Sequence, residues 1–123
     1  MTISGVFDMK IEELQEADNV IVLDMDGKLM IGDGDILLRE KVEDLVEAGH
    51  RRVVLDLADV PYVDSAGLGE IVRCYTALQR KNGRLKLRNP SRRIQDLLKV
   101  TKLLSFFGDD DKWPDDDESG SAS

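Results

Sequence analysis

Between Val53 and Leu78 the chain reads VVLDLADVPYVDSAGLGEIVRCYTAL, and no other stretch limits its folding choices as much. It opens as a short, β-branched apolar run, the mark of a buried strand. It closes on Leu68, Ile71, Val72, Tyr75 and Leu78, whose spacing draws one stripe along a helix. Between them lies DSAGLG, a corner of small residues with a single serine, Ser65, at its apex. A strand that hands over to a helix through a tight corner is the repeating unit of an α/β fold.

The rest of the chain keeps that alternation. Residues 9–14 (MKIEEL) and 19–27 (NVIVLDMDG) read as strands, the second ending in an Asp-Gly turn signal. The link QEAD is short, which predicts an antiparallel hairpin. Residues 31–35 (IGDGD) form a loop in which Asp33 or Asp35 is placed to cap a helix. In that helix Leu38, Val42, Leu45 and Val46 share one face, and Gly49 ends it. Residues 52–57 (RVVLDL) follow as a strand. Reached through a helix, this strand is expected to run parallel to an earlier one by a right-handed crossover. KNG closes the next helix, and residues 84–88 (RLKLR) alternate as a half-exposed strand. NPS then opens a third helix, with Asn89 as cap, Pro90 at its first position and a stripe of Ile94, Leu97, Leu98 and Thr101. Residues 103–107 (LLSFF) are expected to add a short last strand. The order β-β-α-β-α-β-α-(β) predicts an α/β fold: a mixed sheet of four to five strands with helices mainly on one face.

Length and charge set the outer limits. At 123 residues the chain is read as one domain, residues 1–108, followed by an acidic tail, 109–123, expected to be disordered. The net charge of −8 comes largely from that tail, which holds seven acids and one lysine; the remainder has 18 acidic and 16 basic residues, a net −2. An acidic chain argues against general nucleic-acid binding, which rests on cationic contacts to phosphate. Five cations do crowd RLKLRNPSRR (Arg84, Lys86, Arg88, Arg92, Arg93), but no aromatic is interleaved to stack a base, so a solvated strand edge and helix start is the expectation. No apolar run is long enough to span a membrane, and the first residues show no basic n-region and apolar h-region, so secretion is not expected. Cys74 is the single cysteine, expected to be a small buried hydrophobe; a reducing, cytoplasmic setting fits.

The inventory does not support catalysis or a cofactor. His50 is the single histidine, in a turn beside two arginines, with no second His or Cys near it in sequence for a metal site. GLGEIV lacks the third glycine of a dinucleotide loop and the Lys-Ser/Thr of a phosphate loop. DMDGKL begins like a calcium loop but lacks its closing glutamate. Ser65 has no G-x-S-x-G surround, so a hydrolase is a remote reading.

Two readings of the corner stay open. In one, Asp64 or Ser65 is a plain helix cap. In the other, Ser65 is an exposed hydroxyl on a partner-binding surface, open to phosphorylation. Gly67 and Gly69 would then let another protein approach the backbone. A phosphoserine carries about −1.5 to −2 charges and is tolerated at the N-terminus of its own helix. In an interface beside acidic groups it is not tolerated, so one modification would release a partner.

The same residues carry a resemblance. From Val53 to Phe107, and above all in VDSAGLG between an apolar strand and an amphipathic helix, the chain resembles the STAS-domain anti-sigma factor antagonists of bacteria, the anti-anti-sigma factors. The upstream VIVLDMDGKLMIGDGDILLREKVEDLVEAGH fits their hairpin, loop and first helix, so the similarity covers about residues 9–107. The resemblance implies a STAS-like sheet and a non-enzymatic protein that uses no cofactor. Its implied partner is an anti-sigma factor, often a serine kinase, bound in the unmodified state. Phosphorylation of the serine after the motif's aspartate, here Ser65, would break the complex, and a PP2C-type phosphatase would reset it. The implied binding face comprises Asp64, Ser65, Ala66, Gly67, Leu68 and Gly69, with Met30 and Asp33 from the loop after the second strand. One departure is Met30 in GKLM, where many members carry an aspartate; Asp33 or Asp35 stands nearby to substitute. A second class of function, a STAS module serving as scaffold in a signalling or membrane-transport assembly with Ser65 as cap alone, remains the alternative.

Overall fold

A computed structural model describes residues 9–103. Its elements run β1 (Met9–Glu16), a 3-10 turn (Ala17–Asn19), β2 (Val20–Gly27), α1 (Gly34–Glu47), β3 (Arg52–Asp59), α2 (Ser65–Arg80), β4 (Arg84–Arg88) and α3 (Arg92–Val100). The strands lie in the order β1-β2-β3-β4. β1 and β2 pair antiparallel, from Met9 opposite Gly27 to Glu16 opposite Val20. β2–β3 and β3–β4 pair parallel, as a helix between each pair requires. The mixed sheet of the sequence reading is therefore present. The last strand expected at 103–107 and the tail at 109–123 lie outside the described residues, apart from Leu103, which is in no strand.

Alternation assigns the two faces. Ile21, Leu23 and Met25 of β2, Val53, Leu55 and Leu57 of β3, and Leu85 and Leu87 of β4 point into one core with Leu38, Val42, Leu45, Ile71, Cys74, Leu78, Ile94 and Leu98. All three described helices thus contribute to the same side of the sheet. The other face carries a small separate patch of Val20, Val22 and Val54. Arg88 of β4 and Glu16 of β1 pair at 3.1 Å between the two edge strands of this sheet. By register both belong to the rows that carry Val20 and Val54, so this pair joins opposite corners across that face.

Four local expectations change. Asn89 is not the cap of α3: it sits in the left-handed region (φ 55), whereas Ser91 has the extended backbone of a cap and its Oγ accepts from Ile94 N at 3.2 Å. Pro90 accordingly precedes the helix rather than opening it. Thr101 follows α3 as its C-cap and is exposed, not part of the stripe. β4 is not half-exposed, because Leu85, Lys86 and Leu87 are all buried, Lys86 at 4% exposure. Among the described residues no helix is long and apolar enough to cross a membrane.

Candidate functional site

The strand-to-helix corner is built around one carboxylate. Asp64 has the extended backbone of an N-cap (φ −91, ψ −177), and its Oδ1 accepts from Gly67 N at 2.7 Å. That answers half of the cap question: Asp64 caps α2 and Ser65 is its first residue. The second oxygen reaches further. Asp64 Oδ2 accepts from Ile31 N at 3.0 Å, in the loop after β2. The backbone repeats the tie, with Asp64 N donating to Leu29 O at 3.2 Å and Leu29 N to Tyr62 O at 3.0 Å. An isolated parallel bridge between Leu29 and Val63 extends the β2–β3 pairing beyond both strands. Residues 29–31 and 62–64 are therefore one wall. Donation from Gly67 above all, supported by Ile31 and Ala66, holds the Asp64 carboxyl below its ordinary range, although burial opposes it more strongly than either of the two lesser donors supports it.

Ser65, one residue on, is exposed. It stands at the positive end of a 16-residue helix, where unpaired first-turn N–H groups favour an added anion. His50 and Ser65 flank opposite ends of the eight-residue β3, so the histidine cannot act as base for this hydroxyl. No group of three or more His, Cys, Asp or Glu side chains among the described residues is placed to hold a metal.

The two glycines have different reasons. Gly67 is buried, and a Cβ there would collide with the Leu29 carbonyl oxygen and lie 2.9 Å from Leu29 Cγ. Its missing side chain admits the chain's own loop, not another protein. Gly69 is exposed and a Cβ there would meet nothing, so it is the glycine with open backbone. Leu68 is buried at 9% exposure, Ala66 half-buried.

On the loop, Met30 and Asp33 are half-buried. Asp33 occupies the N-cap position of α1 without a side-chain capping bond. Asp35 has turned inward instead, and its Oδ1 accepts from Gly32 N at 2.9 Å and Ile36 N at 2.8 Å. Asp35 therefore folds the loop, and of the two candidates to replace the family's aspartate it is the one already engaged. Ile31, 71% exposed, was not singled out by the sequence reading. Nor was Glu70, buried at 4% exposure on α2, where it accepts from Arg39 Nε and NH2 of α1, each at 3.2 Å. Glu70 Oε2 also lies 3.5 Å from Cys74 Sγ. Burial first, then the Glu70 charge, pushes the Cys74 thiol far up, so it behaves as the small hydrophobe its composition suggested.

Comparison with known proteins bears on this geometry. The family model described as the STAS domain matches residues 12–118. The chain is a member of the STAS domain family. An anti-sigma-B factor antagonist of Bacillus subtilis is 33% identical over 95 residues, covering 77% of this chain and 85% of the relative. A solved structure of a putative anti-sigma factor antagonist from Thermotoga maritima is 26% identical with a TM-score of 0.70, covering 76% of this chain and 79% of that one. The unphosphorylated anti-sigma factor antagonist SpoIIAA, at 18% identity and a TM-score of 0.63 over 74% of this chain and 83% of its own, shares the fold. So does a murine anion transporter, where 14% of that much longer chain is covered at 18% identity and a TM-score of 0.59. The fold alone thus serves more than one kind of assembly.

Proposed function

We propose that this STAS protein is an anti-sigma factor antagonist. It binds an anti-sigma factor that is a serine kinase, and phosphorylation of Ser65 ends the complex. A PP2C-type phosphatase resets it, and neither step uses catalytic groups of this chain. The observation that carries the reading is the exposed Ser65 at the first position of α2, directly after an aspartate whose two oxygens are already engaged. Its hydroxyl is open to a kinase, and a phosphate added there would face any acidic group of the partner in a closed interface. Two like charges about 4 Å apart near a surface repel by about 4 kcal/mol, roughly a thousandfold in affinity. Within the domain the helix N-terminus tolerates the same phosphate, so release does not require unfolding. A Bacillus subtilis relative at 33% identity is an anti-sigma-B factor antagonist, whereas the anion transporter matches at 18%, which favours this reading over the scaffold.

The test is phosphorylation in vitro. Incubation with ATP and each serine-kinase anti-sigma factor of the source organism is expected to add one phosphate, mapped to Ser65 by peptide mass spectrometry. Modification of another residue, or of none by any kinase, overturns the assignment.

A further inference from the structure

A groove of about 340 Å³ opens where β1 begins, lined by Met9, Gly32, Asp33, Ile36, Leu37 and Glu40. Its floor is apolar: Met9 is buried and Leu37 half-buried against the core, while Ile36 on the first turn of α1 is 42% exposed. The two ionisable groups on its described rim are Asp33 and Glu40, both acidic. The same loop forms the wall of the groove and the wall of the Ser65 corner, since Gly32 lines the former and Ile31 N bonds to Asp64.

We infer that this groove is a second anchor of the surface that contains Ser65. Its occupant is a segment of the anti-sigma factor that presents one large aliphatic or aromatic side chain beside a Lys or Arg. This rests on the proposed function and names the partner's chemistry. Charge complementarity selects the cation: a bare apolar ligand would leave Asp33 and Glu40 unused, and an acidic one would be repelled. The partly exposed Ile36 beside buried Met9 supplies a cleft for a single large side chain, the form an interface hot spot takes. The anchor lies off the phosphorylated residue, so it contributes to affinity in both states, and phosphorylation at Ser65 must overcome it.

The experiment titrates the kinase that modifies Ser65 into four full-length chains: unaltered, Ile36→Arg, Glu40→Lys and Ser65→Asp. Val100→Arg, at a position 79% exposed on α3, controls for an added surface cation. Ile36→Arg is expected to weaken binding about thirtyfold or more, Glu40→Lys about tenfold, and Val100→Arg not at all. If Ser65→Asp abolishes binding while Ile36→Arg and Glu40→Lys leave it unchanged, the groove assignment is wrong and the proposed function stands. If no kinase binds the unaltered chain, both fail. Self-association removed by Ile36→Arg, or a lowered melting temperature on deleting residues 1–8 with Ile36→Arg silent in binding, assigns the groove to another occupant and overturns the inference. Circular dichroism on each variant separates misfolding from lost contact, since both substituted side chains are surface residues of α1.

Discussion

Asp64 does two jobs that one side chain rarely combines. It caps α2 through Gly67 and clasps the loop after β2 through Ile31. Asp64→Ala removes both bonds and is expected to cost about 1–3 kcal/mol in urea denaturation. Asp64→Asn keeps an acceptor for Gly67 but presents an amide or a single oxygen to two donors, so the loss is smaller. The carboxyl lies below its ordinary range in the folded state. Its contribution is therefore fully present above the unfolded value of about 4 and fades as pH falls through the lowered folded one. The deficit of Asp64→Ala relative to the unaltered chain is expected to shrink on acidification; a deficit constant from pH 7 to pH 2 contradicts the cap geometry.

The glycine pair tests the same corner. Gly67→Ala forces a methyl against Leu29 and is expected to destabilise by about 1–3 kcal/mol. Gly69→Ala enters open space inside a helix and is expected to stabilise by about 0.5–1 kcal/mol. Thermal melts of the two variants read opposite signs if the corner is built as described.

At the scale of elements, α1 and α2 are joined by a charge that sequence periodicity could not reveal. Glu70 falls among apolar neighbours on α2, and its sequence neighbours give no hint that Arg39, thirty-one residues away, reaches it. Arg39→Ala leaves a buried carboxylate without its cation and is expected to lower stability. Replacing both by leucine recovers most of that, because two apolar groups leave nothing unpaired. Chemical denaturation of the two single variants and the double variant checks this; additive losses contradict a shared interaction.

The helical stripes were legible because burial against one face enforces a 3.6-residue period: Leu38, Val42 and Leu45 on α1 and Leu68, Ile71 and Leu78 on α2 are all buried. The cap of α3 was not legible. Asn89 and Ser91 are both good capping residues, and only the left-handed turn at Asn89 decides between them. β4 misled for another reason, since its Lys86 alternates as a surface residue would yet is buried on the face away from the helices.

At the scale of the molecule, topology brings the candidate site residues together. The parallel β2 and β3 both end at the same edge of the sheet, so the loop after one and the corner after the other meet there, as ligand-binding loops do in open α/β sheets. The sequence singled out the two segments that meet there, the VDSAGLG corner and the 27–35 loop. Their contact through Asp64 and Leu29 is a property of strand order that only the three-dimensional arrangement supplies. For the same reason Gly67 read as a surface opening when it is a packing position. On the proposed function a switch would be local: the corner's bonds run through Asp64, so a phosphate on Ser65 would change the surface charge and leave those bonds in place.

The measurement that bears most directly on that account is a calorimetric titration of the cognate anti-sigma kinase into the unmodified chain and into the chain phosphorylated at Ser65, with the melting temperature of each taken alongside. The account predicts an affinity loss of roughly a thousandfold with nearly equal melting temperatures. Equal affinities, or a loss accompanied by a collapse of the phosphorylated fold, contradict it.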